Sequence, residues 1–157
     1  MSTLAEAGRR VAVGSDHAGL ELKDHLVAYL RDHGFEVEDV GPASTASVDY
    51  PDFAQQVGVK VAATAADWGL LVCGTGVGMA IAANKVPGIR AANCFEPHTS
   101  ALARAHNNAN VLTLAGRMLA PSYAEQVLRA FLDTPFEGGR HQRRVDKIHH
   151  PETTAAD

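Results

Sequence analysis

The chain has 157 residues, 46% of them hydrophobic and 20% charged, and a formal net charge of −4 at neutral pH. That length suits one domain with a full core. The acidic balance argues against nucleic acid as the main partner, and no apolar run approaches the ~20 residues needed to cross a bilayer. Residues 1–10 also lack the apolar stretch of a secretion signal, so a cytoplasmic protein with no membrane partner is expected.

In chain order, residues 10–13 read as a first strand closed by Gly14. A helix follows over residues 18–33, with Leu22, Leu26, Tyr29 and Leu30 on one face and Gly34 as its stop. Residues 35–40 alternate apolar and acidic side chains like a half-exposed strand, and Gly41 and Pro42 open a loop that runs through Asp49. A second helix is expected over 53–66, a buried strand over 68–73, a short helix over 78–85 and a strand over 90–94. Pro97 opens a helix running to about Ala105. A fifth strand covers 110–114, a helix 121–132, and a last helix 141–148 follows the Gly138-Gly139 hinge.

Strands alternating with helices through short connections imply a single α/β domain: a Rossmann-like, three-layer architecture with a five-stranded parallel sheet and helices on both faces. Residues 10–150 would form it, between an N-terminal extension over 1–9 and a disordered tail over 151–157. In such sheets ligands bind beyond the carboxyl ends of the strands. Asp16 and His17 fall there after the first strand, as do the glycine turn after the Cys73 strand and Arg117 after the fifth.

The turn is the most telling stretch. Leu70-Leu71-Val72-Cys73 delivers a thiol into Gly74-Thr75-Gly76-Val77-Gly78, where glycines let backbone N–H groups approach a developing negative charge at a helix start. Cys73 would sit beside that charge as a base, its thiolate favoured by the helix N-terminus. A buried structural thiol is the plainer reading of any single cysteine. The two cysteines, Cys73 and Cys94, show neither a disulfide framework nor zinc-ligand spacing. A dinucleotide-binding module is the competing class, but Gly74, Gly76 and Gly78 form G-x-G-x-G, whereas that fingerprint needs G-x-x-G in its second half.

His106-Asn107-Asn108 is a polar group capping a helix next to a strand, poorly explained by packing. Arg140 and Arg144 stand four apart, so both guanidinium groups can converge on one anion. A solvated basic face is the alternative.

Taken together, G-S-D-H-A-G at 14–19, D-Y-P at 49–51, C-G-T-G-V-G at 73–78, A-A-N-K at 82–85, H-N at 106–107 and R-H-Q-R-R at 140–144 resemble the type B ribose-5-phosphate isomerase family over residues 11–148. The resemblance implies an aldose-ketose isomerisation through a cis-enediolate, with no cofactor and no metal. Cys73 would carry a proton between C2 and C1. A second branch of the family places a Glu at the position of Met79, which cannot abstract a proton. Thr75 would orient the reacting end, and backbone N–H groups from Gly74 to Gly78, those of Gly74, Gly76 and Gly78 among them, would form the anion hole. His106, with Asp16 or Thr75 nearby, would open the furanose ring, and Tyr50 and Asn107 would hold sugar hydroxyls. His17, Arg117, Arg140 and Arg144 would bind phosphate, the last two arginines reaching across from a partner subunit. The implied assembly is a homodimer with shared sites, or a tetramer. Isomerases of allose 6-phosphate, galactose 6-phosphate or a tetrose phosphate share these motifs.

Overall fold

A computed structural model describes residues 9–151. The expected tail lies outside the described residues apart from Pro151, and the N-terminal extension apart from Arg9. Among the described residues, five strands, β1 (Arg10–Ser15), β2 (Glu36–Asp39), β3 (Trp68–Cys73), β4 (Ala91–Asn93) and β5 (Val111–Ala115), form one parallel sheet in the order β2-β1-β3-β5-β4. Six helices accompany them: α1 (Leu20–Asp32), α2 (Tyr50–Ala62), α3 (Val77–Ala83), α4 (Pro97–Asn107), α5 (Pro121–Asp133) and α6 (Arg140–His149). Among the described residues no helix is long and apolar enough to cross a membrane.

Side-chain alternation along the strands divides the core in two. Val11, Val13, Leu70, Val72, Leu112 and Leu114 face α1, α4 and α5, where Leu26, Leu30, Ala103, Leu128 and Phe131 are buried. Ala12, Leu71, Cys73 and Val111 face α2 and α3, against Val57, Val61, Met79 and Ala83. Both faces of β3 are therefore covered, which is why its sequence is apolar throughout. Edge strand β2 carries Glu36, Glu38 and Asp39 and is largely exposed.

Most boundaries fall within two residues of the sequence reading. The second helix departs from it, starting at Tyr50 rather than Phe53 and ending at Ala62, before Thr64 takes a positive φ. Pro51 lies in the first turn, where its missing N–H costs nothing and its fixed φ suits the helix.

The sheet reverses its order between β1 and β3: the chain leaves β1 toward β2 on one side and builds outward from β3 on the other. Such a switch point opens a crevice at the carboxyl ends of those two strands. Lys23 fixes one wall of the crevice. Its buried Nζ donates to both Asp39 carboxylate oxygens at 2.9 and 2.8 Å and to the Pro42 carbonyl at 3.1 Å, tying the start of the 42–49 loop to α1. A buried ammonium is tolerable only when paired and hydrogen-bonded in this way.

Candidate active site

β1 and β3 end side by side, with Ser15 in register with Val72. Beyond them the chain turns tightly. The Asp16 N–H donates to the Val72 carbonyl at 3.2 Å, and the Asp16 carboxylate accepts the Gly19 N–H at 3.0 Å. Gly19 passes so close to β3 that a Cβ there would lie 2.3 Å from the Val72 carbonyl oxygen, so only glycine fits. His17 Nδ1 accepts the Val48 N–H at 3.3 Å, which draws the 42–49 loop over the same end of the sheet.

Cys73 closes β3 with its sulfur buried. Sγ accepts the Gly76 N–H at 3.2 Å, which fixes the sulfur against the turn. Gly76 makes this geometry with φ +78°, and a Cβ there would meet the Asn93 side-chain oxygen at 2.2 Å. Asn93 Nδ2 donates to the Thr75 carbonyl at 3.3 Å, and its oxygen accepts the Thr113 hydroxyl at 3.1 Å, so β4 and β5 brace the turn. Sequence reasoning passed over Asn93, whose only signal is its place at the end of β4. Of the expected anion-hole donors, the Gly76 N–H is engaged by Cys73, and the Val77 N–H donates to Thr75 Oγ1 at 3.3 Å.

The same end of the sheet gathers two further expected residues. The Tyr50 ring lies where a Cβ on Gly78 would be, 2.7 Å from its Cζ, so that glycine admits the ring against the turn. Arg117 follows β5, its N–H donates to the Gly74 carbonyl at 3.1 Å, and its side chain runs along Gly74. Asp16, His17, Tyr50, Cys73, Gly74, Thr75, Gly76, Gly78 and Arg117 thus form one group. Met79 is fully buried in the core behind Cys73. The other thiol, Cys94, is also buried, and burial pushes its pKa up to about 11, leaving it inert at neutral pH.

The remaining candidates lie elsewhere. α4 leaves the carboxyl end of β4, runs back, and ends at Asn107 just before β5 begins, so His106 and Asn107 sit at the amino-terminal edge of the sheet. With about 3.3 Å per strand residue, the depth of the sheet separates them from Cys73 of the same chain. The expectation that His106 lies near Asp16 or Thr75 is therefore corrected within one chain. α6 packs on this corner. The His141 ring stacks on that of His106 with centroids 4.2 Å apart, and the Glu137 N–H donates to the Ala105 carbonyl at 3.0 Å. Burial, aided by the nearby His106, Arg140 and Arg144, holds the His141 pKa below the ordinary imidazole value, against the pull of Glu137. Arg140 and Arg144 project into solvent from the first turns of α6, one turn apart.

A parallel α/β sheet with a buried, N–H-bonded thiol at its switch point and a detached His/Asn/Arg corner defines a class of enzyme built for chemistry on small anionic substrates. Comparison with known proteins narrows it. The model of the Ribose/Galactose Isomerase family matches residues 11–148. Ribose-5-phosphate isomerase B of Escherichia coli strain K12 is 46% identical over 140 residues, covering 89% of this chain and 94% of the relative. The crystal structure of a ribose 5-phosphate isomerase from Thermotoga maritima is 51% identical and superposes with a TM-score of 0.89, covering 90% of this chain and 98% of that one. Ribose-5-phosphate isomerase B from Mycoplasma genitalium, solved with bound ribulose-5-phosphate, is 46% identical with a TM-score of 0.89, covering 94% and 99%. The chain belongs to the ribose/galactose isomerase family.

Proposed function

We propose that this chain interconverts ribose 5-phosphate and ribulose 5-phosphate as a homodimer with two shared sites. The observation that carries the reading is the Cys73 thiol, held by the Gly76 N–H at the switch point of the sheet, in a chain closely related to ribose-5-phosphate isomerases B. The Cys73 thiolate removes the proton from C2, the electron pair moves to the carbonyl oxygen at C1, and the resulting cis-enediolate is held by N–H groups of the 74–78 turn. The same sulfur returns the proton to C1 while the O2 proton passes to O1, leaving a ketose. Net change is one hydrogen moved between neighbouring carbons and one between their oxygens, so neither redox cofactor nor metal is required. Thr75 orients the reacting end.

His17 and Arg117 bind the phosphate from the carboxyl end of the sheet, and Tyr50 holds a sugar hydroxyl. The corner at the other end supplies the rest to the partner chain: His106 opens the furanose ring against the partner's Asp16, Asn107 holds a hydroxyl, and Arg140 and Arg144 clamp the phosphate. Two observations favour this division. A single chain cannot bring its own His106 to its own Cys73, and Tyr50, Val77, Ile81 and Met118 expose apolar surface around the site that a second copy would cover. Two unpaired thiols fit a reducing compartment, and we assign the protein to the cytoplasm.

Two assays test the function. Across a panel of tetrose, pentose and hexose phosphates, kcat/KM is expected to be highest for ribose 5-phosphate. A higher value for allose 6-phosphate or galactose 6-phosphate would reassign the substrate within the same chemistry. Cys73→Ala is expected to bind substrate while kcat falls by about 10³-fold or more, as loss of a general base implies. Exchange of the C2 proton with solvent at the wild-type rate in that variant would refute the role of Cys73.

A further inference from the structure

An imidazole ring sets its own plane only loosely, because rotation about the bond from Cβ to the ring has a broad, roughly two-fold preference. A histidine that must exchange a proton with one particular atom therefore needs a neighbour to hold it. His106 stands at the end of α4 with its side chain 35% exposed, and among the described residues no hydrogen bond engages either of its ring nitrogens. What holds it is the ring of His141, in the first turn of α6. The two centroids are 4.2 Å apart and the planes only 11° from parallel.

His141 is itself firmly seated. Gly138 and Gly139 both take a positive φ, and the His141 N–H donates to the Gly138 carbonyl at 3.0 Å, so α6 starts folded back on α4. His141 and Val145, one turn apart, are the buried residues of α6, while Arg140 and Arg144 point outward. His141 is 5% exposed with its Nε2 fully buried, which keeps that ring from touching a substrate. A Glu137 carboxylate oxygen lies 3.3 Å from His141 Nε2, without hydrogen-bond geometry, and 3.8 Å from His106 Nε2. Burial first, then the charges of His106, Arg140 and Arg144, holds the His141 pKa below the ordinary imidazole value. At neutral pH His106 can therefore take up a proton against an uncharged ring, with the Glu137 carboxylate beside it.

We propose, on the ring-opening role given to His106 above, that His141 is the positioning residue for that step: its stacked ring fixes the plane of His106 and leaves the His106 nitrogens free for the sugar. Furanose opening takes the proton from the anomeric hydroxyl, breaks the bond from C1 to the ring oxygen and returns a proton to that oxygen, leaving an aldehyde and a C4 hydroxyl. A hydrogen bond to His106 would fix its ring equally well but would occupy a nitrogen that this exchange needs. A stack uses the face of the ring and spares its edge. One helix thus serves two ends of the substrate: the outward side of α6 carries the arginines proposed for phosphate, and its buried side aims His106.

Turnover of ribose 5-phosphate needs ring opening. Ribulose 5-phosphate has its C5 oxygen tied up in the phosphate ester, cannot close a furanose, and so reports proton transfer at Cys73 alone. His141→Leu and His141→Gln, each checked for fold by circular dichroism, lack an aromatic face and should lower kcat for ribose 5-phosphate by about tenfold or more with KM little changed. In the same variants, exchange of the C1 proton of ribulose 5-phosphate with solvent deuterium should stay within about twofold of wild type. His141→Phe restores a flat ring without nitrogens and should keep at least about half of the wild-type kcat. Equal loss in both assays, wild-type kcat in the Leu and Gln variants, or a Phe variant as slow as the Leu variant would each overturn the positioning role. His106→Asn should show the same split between the two assays. A split there that the Leu and Gln variants lack refutes positioning by His141 and leaves ring opening by His106 standing, whereas no split in His106→Asn refutes both.

Discussion

Gly76 shows how one backbone angle sets up chemistry. Its φ of +78° turns the chain so that its N–H meets the Cys73 sulfur, and the Asn93 side chain fills the place a Cβ would take. Gly76→Ala introduces a left-handed non-glycine residue, a penalty of about 1–2 kcal/mol, and displaces Asn93 from the turn. The urea midpoint should fall accordingly. Losing the hydrogen bond that positions the Cys73 sulfur should lower kcat by about tenfold or more while KM changes little. A variant with wild-type kcat would show that this N–H does not support the sulfur in catalysis.

At the scale of elements, α6 is the most exposed to pH. Its last residue, His149, accepts from Arg90 Nη1 at 2.6 Å, and burial first, then the Arg90 charge, lowers its pKa from the ordinary 6.5. His150 adds positive charge nearby and Asp146 opposes it. A histidine whose folded pKa is depressed contributes stability above its unfolded pKa, and that contribution is lost as pH falls through the folded value. Urea midpoints should therefore drop as pH is lowered from 7.5 to 5, and His149→Gln should flatten part of the slope. An unchanged slope in that variant would assign the acid sensitivity to other groups.

The elements themselves were largely legible in the sequence, because the two-faced burial of β3 and the apolar stripe of α1 leave clear patterns. The start of α2 was not. Pro42, Ser44, Thr45 and Ser47 form a run of loop residues that hides the Asp49-Tyr50-Pro51 helix entry. Site residues at strand carboxyl ends could be read from topology alone, which located Asp16, His17, the glycine turn and Arg117. His106 was misplaced although its order in the chain held the answer: a residue that ends a crossover helix just before a parallel strand lies at that strand's amino end.

For the whole molecule, the proposed shared site would set the carboxyl end of one sheet, with Cys73, against the α4/α6 corner of a second copy. A two-fold axis would form both sites at once. The most direct measurement is subunit complementation. Cys73→Ala and His106→Asn chains, each inactive alone, are co-refolded in equal amounts, and heterodimers are verified by differential tags. Half of the dimers should be mixed, each with one site carrying both a native Cys73 and a native His106, so about one quarter of wild-type activity should return. Mixed dimers that form yet recover no activity would contradict the shared site and return His106 to its own chain.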